Sequence, residues 1–234
     1  MEQNTTHRFF AWMERHLQRM RYSGPLGLVN TAERGRRALL DALARPLPEG
    51  LLQLDPGLKV PGYYRDYDIH QHPGGLGGDD LAGFVYRNAT GSGVVGKPGL
   101  HQRFAALASA GRRIRRALDL GCGFGRSTRA FADAVPDAQV EGIDLSAACL
   151  KVAAHDTPEP LRRRVRFAQA DAAASGLPSG AYDLITSTML LHEMTEEAVR
   201  ILIEESGRLL AAGGTVAHLD FLPPEDPVLR HMFE

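Results

Sequence analysis

The chain has 234 residues, enough for one domain with a substantial core or one domain plus an appendage. Its 44% hydrophobic and 24% charged residues are ordinary for a globular protein, and a net charge of −1 provides no global field favouring nucleic acid or an anionic membrane. No apolar run reaches the roughly 18 residues of a membrane span. The N-terminus lacks the basic start and apolar core of a signal peptide. Cys122 and Cys149 alone supply neither a disulfide framework nor a metal cluster, so a cytoplasmic protein without a bound metal is expected.

Phe9, Phe10, Met13, Leu17 and Met20 recur at helical spacing and predict a helix over 6–22. Its aromatic-rich stripe suits packing on the main domain or on a second subunit, so a homodimer through the N-terminal helices is one expectation. Ser23-Gly24-Pro25 breaks the chain. Thr31 is placed to cap a second helix carrying Ala38, Leu39, Ala42 and Leu43, and Pro46 and Pro48 stop it. The stretch 56–99 is rich in Gly, Pro and aromatic residues and reads as an irregular lid over a small-molecule pocket. Its Tyr63, Tyr64, His70 and His72 are candidate substrate contacts. Asp68-x-His70-x-His72 has metal-ligating residue types, but no fourth ligand is evident.

A short helix over 98–110 ends at Gly111, and a regular alternation begins. Strands are predicted over 114–120, 139–145, 165–170, 182–187 and 215–221. One helix runs from Arg126 to Pro136, and another from its N-cap Ser146 to His155. A third is capped by Thr195, buries Val199, Leu202, Ile203, Leu209 and Leu210, and ends at Gly213-Gly214. Strands alternating with helices predict an α/β, doubly wound, mostly parallel sheet with right-handed crossovers. Residues 1–97 are expected to form a helical and lid region, and 98–234 the core.

The most informative stretch is Asp119-Leu120-Gly121-Cys122-Gly123-Phe124-Gly125-Arg126, a glycine turn between a strand and a helix. Gly121 permits a tight turn, Gly123 lets backbone approach a ligand, and the helix N-terminus adds unpaired donors. A dinucleotide turn, G-x-G-x-x-G, would need glycine at Arg126; here the third glycine falls one residue early, at Gly125. Asp144 ends the second predicted strand, 25 residues after Asp119, where an acid can accept hydrogen bonds from both hydroxyls of a ribose. Ala170-Asp171-Ala172 follows the third strand. The fourth leads into Met189-Leu190-Leu191-His192-Glu193, and Arg208 to Gly214 enters the fifth.

These five motifs, in this order over 114–221, resemble the class I S-adenosylmethionine-dependent methyltransferases, small-molecule type with D-L-G-C-G-x-G. The resemblance implies a Rossmann-like sheet of order 3-2-1-4-5 and S-adenosylmethionine as cofactor. It implies that Gly121, Cys122, Gly123 and the adjoining Gly125 carry the methionine part, with Asp119 at its amino end directly or through water. Asp144 would hold the ribose and Leu145 lie against the adenine. Asp171 would bond the adenine amino group with Ala172 beside it, and Ser187 would flank the cofactor. Family members normally add two further strands, but only 13 residues follow Phe221, so a shortened sheet is expected.

Methyl transfer needs an aligned acceptor, exclusion of water and, where the acceptor loses a proton, a base. His192, just after the fourth strand, is the first candidate base, with Glu193 able to orient it or cap the next helix. Asp220 and His218 are lesser candidates near the acceptor. The arginine runs 112–116 and 162–166 immediately precede strands and lie at the edge opposite that used by ligands, so nucleic-acid binding is not expected. A small-molecule methyltransferase is the leading expectation. The alternatives are a non-catalytic S-adenosylmethionine-binding protein and an NAD-dependent oxidoreductase, the latter disfavoured by Arg126.

Overall fold

The computed structural model describes residues 5–65, 79–90 and 98–221. Its centre is a parallel sheet. The apolar runs form β2 (Arg116–Leu120), β3 (Gln139–Asp144), β4 (Val165–Gln169) and β5 (Tyr182–Thr188), and β6 (Leu210–Leu219) follows. A two-residue strand, β1 (Leu52–Gln53), precedes them. The order is β1-β4-β3-β2-β5-β6, every neighbouring pair parallel. The five expected strands therefore take the expected order, and β1 is an addition at the edge. It carries no periodic signal of its own, but the neighbouring Leu51 carbonyl accepts a hydrogen bond from Phe167 N and the Leu51 side chain is buried. The strand β6 has no second neighbour among the described residues, and its residues are only partly buried.

Alternation along the strands divides the core between the two faces, as a covered parallel sheet requires. Ala117, Val140, Phe167 and Leu184 pack with Ala105 of α6 (Leu100–Ser109), Phe131 of α7 (Arg126–Ala134) and Leu150 of α8 (Ala147–His155). On the opposite face Leu118, Leu120, Ile143 and Ile185 meet Leu202 and Leu209 of α9 (Glu196–Leu209). Full burial of each large apolar side chain contributes about 1.5–3 kcal/mol. Ser146 and Thr195 cap α8 and α9 through their side-chain oxygens, which accept from Cys149 N and Ala198 N.

Several local expectations need correction. Helix α9 stops at Leu209, and Gly213-Gly214 lies inside β6, not at a helix end. Gly180 N and Ala181 N donate to the carbonyls of Arg208 and Leu209, drawing that backbone into the sheet. Ile203 is exposed, and the buried positions of α9 are Ala198, Leu202, Ser206 and Leu209. Thr31 lies within α2 (Leu28–Arg34) and caps nothing; Gly35 then separates α2 from α3 (Arg36–Leu43).

The N-terminal part begins with α1 (Thr5–Ser23), which exposes Phe9, Phe10, Trp12, Leu17 and Met20. The stretch read as an irregular lid contains two helical segments, α4 (Gly62–Arg65) and α5 (Ala82–Ala89). Helix α5 lies against α8 so closely that a Cβ on Gly83 would stand 2.2 Å from the Ala148 carbonyl oxygen. Phe84 and Val85 of α5 share a core cluster with Tyr22, Phe124 and Val152. Arg87 pairs with both carboxylate oxygens of Asp156 at 2.9 Å, and Lys151 reaches Asp80 at 2.6 Å. Partly exposed pairs of this kind each contribute at most about 1 kcal/mol, so the apolar seam dominates the attachment.

Candidate functional site

The turn after β2 is built as its glycines require. Gly121 and Gly123 adopt φ of 65° and 51°. A Cβ at Gly121 would lie 2.7 Å from Leu190 Cδ1. Gly125, at φ 75°, begins α7 with Phe167 and Ala153 pressed behind it. Beneath the turn Asp119 is wholly buried. Its Oδ2 accepts from Ser127 Oγ at 2.6 Å and Thr128 Oγ1 at 2.7 Å, and Thr186 Oγ1 stands 3.3 Å from Oδ1. Burial outweighs these donors and raises its pKa to about 6. Asp144, at the end of β3, accepts from Gly123 N and Ser146 N, each at 2.8 Å. Burial again prevails over the two donors, and its pKa rises to about 6.

A cleft of ≈ 650 Å³, counted with its open mouth, lies at the C-terminal edge of the sheet above this turn. This is where ligands bind in open α/β sheets. Gly121, Gly123, Asp144, Leu145, Ala170 and Ala172 line one side. Thr188 at the end of β5, Met189, Leu190, Glu193 and Met194 after it, and Cys149 of α8 continue the lining. Tyr63, Tyr64 and Tyr86 complete it from α4 and α5. Met189 holds φ at 57°, unusual outside glycine, while its N–H donates to the Leu219 carbonyl. Thr188 Oγ1 is buried without a hydrogen-bond partner among the described residues. Tyr63 OH donates to Asp171 Oδ1 at 2.6 Å, and Ala173 N donates to the same oxygen at 2.8 Å.

Beside the cleft, His192 Nδ1 lies 2.7 Å from Asp220 Oδ1, and Leu191 N donates to Asp220 Oδ2 at 2.7 Å. Burial opposes protonation of His192, but the Asp220 carboxylate outweighs it and raises the imidazole pKa. Burial of Asp220 is likewise outweighed by His192 and two backbone donors, so its pKa is lowered. An ionised carboxylate can only accept, so the proton belongs on Nδ1, leaving Nε2 with a lone pair. Ser187 Oγ sits 2.8 Å from His218 Nδ1, whose Nε2 is buried and unpartnered among the described residues. Burial lowers the His218 pKa.

Of the residues singled out in the sequence, the structure gathers Gly121, Gly123, Asp144, Leu145, Ala172, Tyr63 and Tyr64 on the cleft wall. Asp171 lies immediately behind it, bonded to Tyr63. Asp119, Gly125 and Ser187 are not on the wall, and the Cys122 thiol points beneath the turn toward Gly142. The pair His192 and Asp220 stands apart from it, whereas Glu193, considered only as an orienting or capping group, lines the cleft. His70 and His72 lie outside the described residues. Tyr86, Cys149, Thr188 and Met189 join the wall without having been singled out as site residues. Tyr86 carried a signal in the aromatic content of its segment, but the packing of α5 on α8 was not legible. No helix among the described residues is long and apolar enough to cross a membrane.

This parallel sheet, with its cleft beside a glycine turn at the C-terminal edge, is a Rossmann-like fold. Residues 117–214 match the family described as "Methyltransferase domain". That match and the relatives below support a class I S-adenosylmethionine-dependent methyltransferase domain over this segment. It is similar to a trans-aconitate 2-methyltransferase of Methylobacterium radiotolerans, at 42% identity over 103 residues, 44% of this chain and 36% of the relative. A ubiquinone/menaquinone biosynthesis C-methyltransferase of Ectopseudomonas mendocina is 32% identical over 143 residues, 58% of this chain and 54% of the relative. A solved Haemonchus contortus phosphoethanolamine N-methyltransferase 2 in complex with S-adenosyl-L-methionine shares the fold at a TM-score of 0.54 and 21% identity, over 74% of this chain and 39% of that one. The chain spans about a third to a half of the length of the curated relatives it matches.

Proposed function

We propose that the chain binds S-adenosylmethionine in this cleft and transfers its methyl group to a small-molecule acceptor. The observation that carries the reading is the joining of the Gly121–Gly123 turn to Asp144 at the strand ends, with the Gly123 N–H bonded to the Asp144 carboxylate. A carboxylate offers about four acceptor positions, and the backbone takes two, leaving capacity for both ribose hydroxyls. The positive-φ glycines leave room for the methionine tail along the turn, and Thr188 Oγ1, without a partner among the described residues, offers a polar contact. In this reading Cys122 contributes backbone, Asp119 and Gly125 support the turn from behind, Leu145 flanks the adenine, and Asp171 with Ala172 meets its edge. Ser187 and His218 stiffen the tips of β5 and β6. The cofactor brings an activated methyl group; the chain aligns the acceptor and excludes water. His192, held by Asp220, is the proposed base toward an acceptor that must lose a proton, with Tyr64, His70 and His72 on the acceptor side.

Calorimetric titration tests the cofactor: S-adenosylhomocysteine should bind, and tighter binding of NAD would overturn the reading. The relatives above act on chemically different acceptors, so an acceptor screen with radiolabelled cofactor is the direct test of turnover. One observation favours a second reading, a non-catalytic S-adenosylmethionine-binding protein: His192 does not line the cleft. Turnover that falls at least about a hundredfold in His192→Ala with unchanged cofactor affinity supports the base. Unchanged turnover removes it. The exposed Phe9, Phe10, Trp12, Leu17 and Met20 support a homodimer through α1, tested by light scattering of Trp12→Glu. The buried free thiols Cys122 and Cys149 fit a reducing cytoplasm.

A further inference from the structure

Asp171 is held in an asymmetric way. Its Oδ1 receives two hydrogen bonds, from Tyr63 OH at 2.6 Å and Ala173 N at 2.8 Å, which use both lone pairs of that oxygen. Its Oδ2 receives none among the described residues. The two donors come from different parts of the chain: Ala173 belongs to Asp171's own loop, whereas Tyr63 comes from α4, outside the segment that matches the family. Ala170 and Ala172 on either side of Asp171 line the cleft, as does Tyr63 itself. The carboxylate is thus pinned through one oxygen, immediately behind a wall formed by its two sequence neighbours, and its other oxygen takes no donor among the described residues.

We propose that Tyr63 is a positioning residue that fixes Asp171 so that Oδ2 accepts the exocyclic amino group of a 6-aminopurine, making purine discrimination depend on the N-terminal part of the chain. The inference rests on the adenosyl-ligand reading above. An acceptor-only carboxylate is complementary to a 6-amino group and repels a 6-oxo group. That selectivity requires the carboxylate to stay in place. A charge-assisted hydrogen bond from a phenol is the stronger of the two restraints that hold it.

The test compares S-adenosylhomocysteine with S-inosylhomocysteine, its 6-oxo counterpart, by calorimetry. In Tyr63→Phe the Kd for S-adenosylhomocysteine should rise about fivefold, the cost of ordering one freed side chain on binding. The Kd for S-inosylhomocysteine should change less than about threefold, so the preference for the amino form shrinks. In an Asp171→Ala background the same Tyr63→Phe change should have no further effect on the adenosyl ligand. Equal weakening of both ligands, or an undiminished effect in the Asp171→Ala background, overturns the positioning role and leaves Tyr63 as wall packing. Failure of the unaltered chain to bind S-adenosylhomocysteine instead overturns the cofactor reading, an outcome separable from the others.

Discussion

Asp119→Asn should make the protein more stable at neutral pH. Asp119 is fully buried, and burial raises its pKa from 3.8 to about 6 despite the surrounding hydroxyl donors. A folded-state pKa raised above the unfolded value means that the folded chain binds the proton more tightly. Stability is therefore greatest below the unfolded pKa and is lost as pH rises through about 6. The shift of about 2 units corresponds to about 3 kcal/mol lost at pH 7.5 and about 1 kcal/mol at pH 4.5. Asparagine fits the same hydrogen-bond frame. Its amide oxygen replaces Oδ2 and accepts from Ser127 and Thr128, while its nitrogen donates to Thr186 Oγ1, which can donate to the Leu118 carbonyl 3.3 Å away. Urea unfolding followed by far-UV circular dichroism should show a gain of about 3 kcal/mol at pH 7.5 that shrinks to about 1 kcal/mol at pH 4.5. Taking the difference between the two proteins cancels the other titrating groups. A less stable Asp119→Asn protein at pH 7.5, or a difference that does not vary with pH, would refute the reasoning, because the hydroxyls would then be holding the charged form.

Two glycine substitutions should move stability in opposite directions. Gly83→Ala places a methyl 2.2 Å from the Ala148 carbonyl oxygen and should lower unfolding stability by about 3 kcal/mol. Gly207→Ala, exposed in α9 with nothing within 4 Å of the new Cβ, should raise it by about 1 kcal/mol. Asp220→Asn removes the carboxylate that raises the His192 pKa, so the imidazole should titrate at lower pH in an NMR titration; an unmoved midpoint would show that the contact does not set it. The stabilisation linked to the charged His192–Asp220 pair, present below pH 6.5 and lost as pH rises through the folded-state value, should vanish in the same variant.

The backbone side of the site was legible because it is written in residue types with few other uses. A glycine that must take positive φ and an acid that ends a strand announce themselves in a local window. So did the five main strands, in apolar stretches that end at or near Gly121, Asp144, Asp171, Ser187 and Asp220. What failed was decided by distant partners. Leu210-Ala211-Ala212 continues the apolar pattern of α9, and pairing with the chain at 180–182 converts it to strand. Strand β1 exists because β4 offers it an edge. Glu193 and His192 are neighbours in sequence, yet one lines the cleft and the other turns toward Asp220, a difference set by the short 3₁₀ turn over Leu191–Glu193.

The cleft has two kinds of wall, and they are stabilised differently. The sheet-edge wall grows from strands whose side chains are among the most buried in the chain, so its geometry is fixed by the same packing that holds the fold. The tyrosine wall depends on α4 and α5. Of these, α5 is bound to α8 through the Gly83 contact, the Phe84–Val85 cluster and the Arg87 and Lys151 pairs. Helix α8 also supplies Cys149 to the cleft, and its N-cap Ser146 donates its backbone N–H to Asp144. Substitutions in the α5–α8 seam therefore act on both walls at once. Gly83→Ala should weaken binding of an adenosyl ligand although Gly83 itself does not line the cleft.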